Sequence, residues 1–221
     1  MIEHGCNGDY CFCREGAPPH VKKVSTTKIV LISGKKQHGK NTVANFLKDF
    51  ASEKGYNVVE MAFADPLKTV AQQLFRLTPR QIWNGHEKET VDGRWGMTPR
   101  EIMQKLGTEV GRSIHSEVWV RNLCYRIQEQ KFDQTCPAPT IVLVTDTRFP
   151  NEVEVPKKIL GNVVTVRVNR QGMPTTAFDN HPSETSLDDY SSWDFVIHND
   201  TGLEDLKLDC KNLAEFLCVA S

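Results

Sequence analysis

No stretch of this 221-residue sequence reaches eighteen consecutive apolar residues, so no membrane-spanning helix is expected. The first 26 residues lack the apolar core of a secretory signal. Charge of neither sign is in surplus: 27 Lys and Arg face 28 Asp and Glu, for a formal net charge of −1. Without a basic field a nucleic acid polymer is not the expected partner, whereas a small anion held by a few local cations is. No internal repeat and no low-complexity tract is visible. The seven cysteines are odd in number and include no C-x-x-C pair. Four of them, Cys124, Cys136, Cys210 and Cys218, are scattered and read as reduced thiols of a cytoplasmic protein. Cys6, Cys11 and Cys13, with His4 and His20 nearby, fit no strong zinc spacing. Residues 1–27 are therefore expected to be an N-terminal extension, with a small zinc-held segment as the sharper alternative.

Hydrophobic residues make up 39% of the chain and charged residues 25%, enough for a buried core. "KIVLIS" (28–33) is short, apolar and β-branched, as a buried parallel strand is. "KNTVANFLKDFASEK" places Val43, Phe46, Leu47 and Phe50 at helical spacing, with Gly55 to stop the helix. "NVVEMAF" (57–63), "TIVLVTD" (140–146), "NVVTVRV" (162–168) and "DFVIHND" (194–200) read as four further strands. Helical patterns separate them, which predicts an α/β fold with a parallel sheet covered on both faces.

Thr78-Pro79-Arg80-Gln81 and Thr98-Pro99-Arg100-Glu101 have the form of capping boxes with proline at the first helical position. Residues 84–96 between them, polar and rich in turn formers, read as a loop. The long helical stretch 100–130 contains Gly107 and Gly111, each costing about 1 kcal/mol against alanine in a helix interior. A break, or close approach of another group, is expected there. Residues 169–192 form a polar segment longer than most structureless connections, as lids often are.

"SGKKQHGKNT" (33–42) nearly spells the phosphate loop G-x-x-x-x-G-K-[ST]. Gly34, Gly39 and Lys40 stand at the required spacing, but the hydroxyl position is Asn41, with Thr42 one place late. A strand before and an amphipathic helix after aim unpaired amides and the helix dipole at an anion. Lys40 would then reach the β- and γ-phosphates. Thr42 lies about 100° further round the helix and cannot stand in for residue 41. The Asn41 amide can hold magnesium or a water on it, since that ion keeps several waters and takes few protein ligands. Asp146, ending a strand, is a second candidate for magnesium. Arg148 follows at the sheet edge where ligands of such folds bind, and a guanidinium there can grip phosphate in two places.

"FADPLK", "MQKLGTEVGR", "VWV", "VTDTR", "NHPSE" and "DFVIHND" follow the loop in this order. Together they resemble the phage-type deoxynucleoside monophosphate kinases, over about residues 28–217. The resemblance implies a three-layer P-loop kinase fold with a helical monophosphate-binding arm (about 66–130) and a lid (about 169–192). It implies transfer of the γ-phosphoryl group of ATP, with Mg²⁺, to a deoxynucleoside 5′-monophosphate. On it, Gly34, Lys35, Gln37, His38, Gly39, Lys40, Asn41 and Thr42 would cradle the ATP phosphates, with Asn199 and Asp200 near adenine. Asp65, Lys68, Arg100, Gln104, Thr108, Trp119 and Arg148 would meet the acceptor. Lys40, Asp146, Arg148 and Arg170 would serve the transfer, with Arg167 leading into the lid. In this family the residue after the loop lysine is commonly aspartate, so Asn41 removes a charge. The acceptor phosphate is itself the nucleophile, which agrees with the lack of any nucleophile–base pair. His181, Ser183 and Glu184 sit too close together for a hydrolase and would shape the lid. Two other readings stand beside this one: a phosphomevalonate kinase-like enzyme, and a nucleotide-binding protein without catalysis. A homodimer is left open.

Overall fold

The structure, a computed structural model, describes residues 27–130, 138–172 and 182–219. The cysteine-bearing N-terminal segment, His181 and the middle of the expected lid lie outside the described residues. Among the described residues five strands form the sheet: β1 (Lys28–Ser33), β2 (Asn57–Met61), β3 (Thr140–Thr147), β4 (Val163–Asn169) and β5 (Phe195–His198). Their order is β2-β3-β1-β4-β5, and every neighbouring pair is parallel. The five strands fall within two residues of where hydrophobic pattern puts them.

Alternation along β1 explains the three layers. Val30 and Ile32 point to one face, where Val43, Leu47 and Ala51 of the Lys40–Glu53 helix pack with Leu206, Leu213 and Leu217 of the Leu203–Leu217 helix. Ile29 and Leu31 point to the other face, against Val120, Leu123 and Ile127 of the Val118–Glu129 helix. Both faces being covered, β1 is buried from Ile29 to Ser33, and each large aliphatic side chain so removed from water contributes about 1.5–3 kcal/mol. Among the described residues no helix is long and apolar enough to cross a membrane.

A third cluster, around Ala71, Leu77, Ile82 and Ile102, holds together a helical subassembly beyond β2. Both capping boxes form: Thr78 with Gln81, and Thr98 with Glu101. The two glycines act as expected. Residues Lys105–Gly111 widen into a π-helix, and the chain breaks at His115 before the Val118–Glu129 helix. A Cβ on Gly107 would come within 3.0 Å of Leu67, and one on Gly111 within 2.5 Å of the Trp119 ring. Small residues here let Leu67 and Trp119 press onto the helix, and the Trp119 Nε1–H donates to the Gly107 carbonyl at 2.8 Å.

Two segments depart from expectation: Pro182–Thr185, inside the polar stretch 169–192, is a short helix, and so is part of 84–96. Within the polar stretch 84–96, Gly85–Glu89 is a short helix. Asn84 Oδ1 accepts from the N–H groups of His86 and Glu87, which satisfies two donors that a helix start otherwise leaves free.

Candidate active site

In a wholly parallel sheet the carboxyl ends of all strands share one edge. Gly34 follows β1, Phe63 and Ala64 follow β2, Asp146 and Arg148 stand at the end of β3, Arg170 follows β4, and Asn199 and Asp200 follow β5. The strand order reverses on either side of β1, and ligands of open α/β sheets bind outside that point.

The phosphate loop is shaped by its glycines. Gly34 has φ 152° and a Cβ there would meet the Val168 carbonyl oxygen at 2.5 Å; Gly39 has φ 99° and a Cβ would meet Asn199 Nδ2 at 2.5 Å. Asn199 Nδ2 donates to the His38 carbonyl, so β5 braces the loop from behind. Lys40 Nζ donates to the carbonyls of Gly34 and Lys35 at 2.7 and 2.8 Å. Burial, with Arg148 nearby, lowers its pKa to about 8. Lys35 turns away to Asp188. His38 faces the end of β4, its Nδ1 accepting from the Arg170 N–H, and burial lowers its pKa.

Two cavities open along this edge. The larger, of about 990 Å³, is lined by Gln37, Gly39, Lys40, Asn41, Thr42 and Arg170, and reaches Asn199 and Asp200. The smaller, of about 290 Å³, is lined by Lys68, Arg100, Gln104, Thr108 and Trp119, with Phe63, Leu67 and Met103 supplying apolar wall. Three residues line both: Lys88, Asp146 and Arg148. The cavities therefore meet at the end of β3.

At that junction the Asp146 carboxylate accepts from the Phe63 N–H at 3.0 Å on one oxygen and the Ala64 N–H at 2.9 Å on the other. Burial pushes its pKa up, against those two amides and the cations Arg148 and Lys68. Arg148 donates its guanidinium to Glu184 and to the Ser183 carbonyl. So the "HPSE" segment, as far as it is described, rests on the "DTR" arginine.

Asp65 is not brought into the smaller cavity. Its carboxylate accepts from the Ala62 N–H at 2.8 Å and from Arg126 at 3.2 Å, and it lines an adjoining hollow with Asn41 and Lys68. The aspartate of "FADPLK" thus braces a turn, and its neighbour Lys68 lines the smaller cavity.

Three site residues escaped the sequence reading. Lys88 sits in the segment taken for a loop. Arg112 and the buried Glu152 form an ion pair at 2.6 Å lining the smaller cavity. Glu152 also accepts the backbone N–H groups of Arg148 and Phe149 at 2.6 and 3.1 Å, and burial pushes its carboxyl up to about 7. Arg112 lies 3.8 Å over the Phe149 ring. The pair thereby fixes the backbone that carries Arg148. The final arginine of "LGTEVGR" and the glutamate four places after Arg148 were the available signals.

Among the described residues no cluster of three His, Cys, Asp or Glu side chains could hold a metal. Asn41 and Asp146 do line one cavity, and each Asp146 oxygen keeps a lone pair beyond its amide bond. Those oxygen donors fit a hard cation such as magnesium that keeps most of its waters.

The family model described as deoxynucleotide monophosphate kinase matches residues 80–209. A protein of Acanthamoeba polyphaga mimivirus bearing the name deoxynucleotide monophosphate kinase is 33% identical over 189 residues, covering 80% of this chain and 91% of its own length. The deoxynucleoside-5′-monophosphate kinase of Escherichia phage T5 is 27% identical over 150 residues, 63% of this chain and 54% of the phage protein. Among solved structures, a dephospho-CoA kinase from Campylobacter jejuni overlaps 87% of this chain and 98% of its own, at 12% identity and a TM-score of 0.45. A likeness of that degree says nothing about substrate.

Proposed function

The chain belongs to the deoxynucleotide monophosphate kinase family, and from that premise we infer that it moves the γ-phosphoryl group of ATP onto the 5′-phosphate of a deoxynucleoside monophosphate. The observation that carries the reading at the level of residues is the meeting of two cavities at Asp146 and Arg148, one floored by the phosphate loop and the other by the helical subassembly. In this reading the larger cavity takes ATP, with its phosphates on Gly34–Thr42 and its adenine toward Asn199 and Asp200. The smaller takes the deoxynucleotide, its phosphate toward Lys68, Arg100 and Arg148 and its base among Gln104, Thr108 and Trp119. Residues 66–130 act as the acceptor arm and 169–192 as the lid.

An oxygen of the acceptor phosphate attacks the γ-phosphorus. The bond from γ-phosphorus to the bridging oxygen breaks, and its electron pair stays on ADP. Little covalent chemistry is asked of the protein, so positioning and neutralisation of the phosphoryl charge carry the rate. Lys40 and Arg148 supply positive charge, and Arg148 exchanges Glu184 for phosphate as the lid settles. Arg170 covers the ATP side and helps exclude water, which would otherwise take the phosphoryl group. Asn41 and Asp146 would hold the magnesium that arrives with ATP, an ion that draws charge from the β- and γ-phosphates.

The low Lys40 pKa gives a pH signature. Below about pH 8 the free enzyme carries Lys40 as the ammonium; above it the amine is neutral and offers a phosphate no charge. The dissociation constant for ATP is expected to be flat below pH 8 and then to rise by up to about tenfold per pH unit. The measurement is calorimetric titration between pH 6.5 and about 9.5. The same rise in a Lys40→Met variant would assign it to another group.

Coupled ADP-release assays with ATP, Mg²⁺ and a panel of dTMP, dGMP, dCMP, dAMP, their ribose forms and phosphomevalonate test the reading. Turnover with one or more deoxynucleotides is expected. Turnover with phosphomevalonate alone, or ATP binding with no turnover, would contradict it.

A further inference from the structure

The Gly85–Glu89 helix stands between the phosphate loop and the arm. Glu89 Oε1 accepts from Arg100 Nε at 2.6 Å and lies 3.6 Å from Lys36 Nζ, so this one carboxylate ties both sides together. The residue before it, Lys88, is half-buried and lines both cavities. Among the described residues, the charges that act on Lys88 lean positive, and the smaller cavity's cations outnumber its carboxylates Asp146, Glu152 and Glu184. Lys68, Arg100 and Arg148 all act on it, and Glu89, the acidic neighbour, is already shared with Arg100 and Lys36. Burial and the like charges of Lys68 and Arg100 lower the Lys88 pKa. Concentrating cations around a hollow is costly unless an anion enters it. The anion that would touch both cavities at once is the phosphoryl group passing between them.

We infer that Lys88 is a catalytic residue: its ammonium contacts the phosphoryl group in transit, between the donor side held by Lys40 and the acceptor side held by Lys68, Arg100 and Arg148. This rests on the phosphoryl transfer proposed above. Lys88 gives up no proton. It neutralises oxygens of the γ-phosphoryl group while the bond to the acceptor oxygen forms and the bond to the bridging oxygen of ADP breaks. Because it lies at the meeting point, it engages fully only when both cavities are filled. Asn41 sharpens the need for such a cation, since that neutral residue gives magnesium a weaker hold than an aspartate would.

The test compares Lys88→Met and Lys88→Arg with the unaltered protein by steady-state kinetics and thermal melting. Removing one charge-stabilising group of this kind lowers kcat by about 100-fold. An interaction made only in the transition state lowers kcat and kcat/KM together, so KM for either substrate should move by less than about fivefold. Lys88→Arg, which keeps the charge, should recover at least about tenfold of the loss. The melting temperatures should agree within about 2 °C, since a half-buried side chain on a capped surface helix carries little of the fold. Overturning results would be a Lys88→Met enzyme with kcat within about threefold of the unaltered one, no recovery with arginine, or a loss that tracks a lower melting temperature. Failure of the underlying reading looks different: the unaltered protein would itself turn over no deoxynucleotide.

Discussion

Lys40→Met is expected to lower kcat by about a thousandfold while leaving the melting temperature unchanged or slightly raised. The two halves of that expectation have separate causes. Methionine keeps the unbranched stem that packs along the phosphate loop, so little contact is lost. The ammonium it removes is largely withdrawn from water, which is why its pKa sits near 8. Its hydrogen bonds to the Gly34 and Lys35 carbonyls compensate that withdrawal in the free enzyme. Lys40 itself lines the larger cavity, so water entering there can take the place of its ammonium. In the reacting complex nothing replaces it, because the transferring oxygens need a cation at that place. Steady-state ADP release and a melting curve on the same preparation check both halves. A variant with near-normal kcat would mean that the loop does not hold the reacting phosphates.

Asp146→Asn should cost both activity and stability. The two carboxylate oxygens accept one backbone N–H each, from Phe63 and Ala64. An asparagine has one acceptor, and its amide group would face the second N–H donor to donor. Leaving a buried N–H without a partner costs about 1–3 kcal/mol. For a chain of this length, 2 kcal/mol corresponds to a melting temperature lower by about 4–8 °C. The substitution also removes the negative charge that stands among Lys40, Lys68 and Arg148. The turn after β2 would shift, and with it the apolar wall that Phe63 and Ala64 give the smaller cavity. A kcat lower by at least about a hundredfold is expected, since small misplacement at a transfer site is expensive. Melting curves and kinetics together check this. Unchanged stability would show that Asp146 is not what holds the β2 turn.

The fold was legible where one local rule spoke without a rival. β1 alternates between two apolar faces, and the Lys40–Glu53 helix repeats its apolar stripe at helical spacing. Thr78 and Thr98 announce their helices through side chains that cap them. Gly107 and Gly111 were readable as places of close approach, though Leu67 and Trp119 as the approaching groups were not. The Gly85–Glu89 helix was missed because "GHEKE" has no apolar period; the Asn84 cap makes it, and caps look like turn residues in a sequence. Lys88 was lost with it.

The site was legible along the strand ends and less so elsewhere. Asp146 and Arg148 sit at the carboxyl end of β3, and Lys40 opens the helix that follows the loop after β1, so topology gathers them. Arg112 and Glu152 pair across 40 residues, and a sequence does not say that a surface-type glutamate is buried against a distant arginine. Asp65 is placed differently from the others. A carboxylate beside "PLK" looks poised for a ligand, yet the Ala62 amide and Arg126 occupy it.

The central claim is that donor and acceptor cavities meet at Asp146 and Arg148, so that transfer is direct. The most direct test is inhibition by a bisubstrate analogue, an adenosine and a deoxynucleoside joined through a polyphosphate chain long enough to span both sites. If the cavities adjoin, the analogue competes with ATP and with the deoxynucleotide alike, and binds at least about a hundredfold more tightly than either alone. Competition with only one substrate, at an affinity no better than that substrate's own, would contradict it.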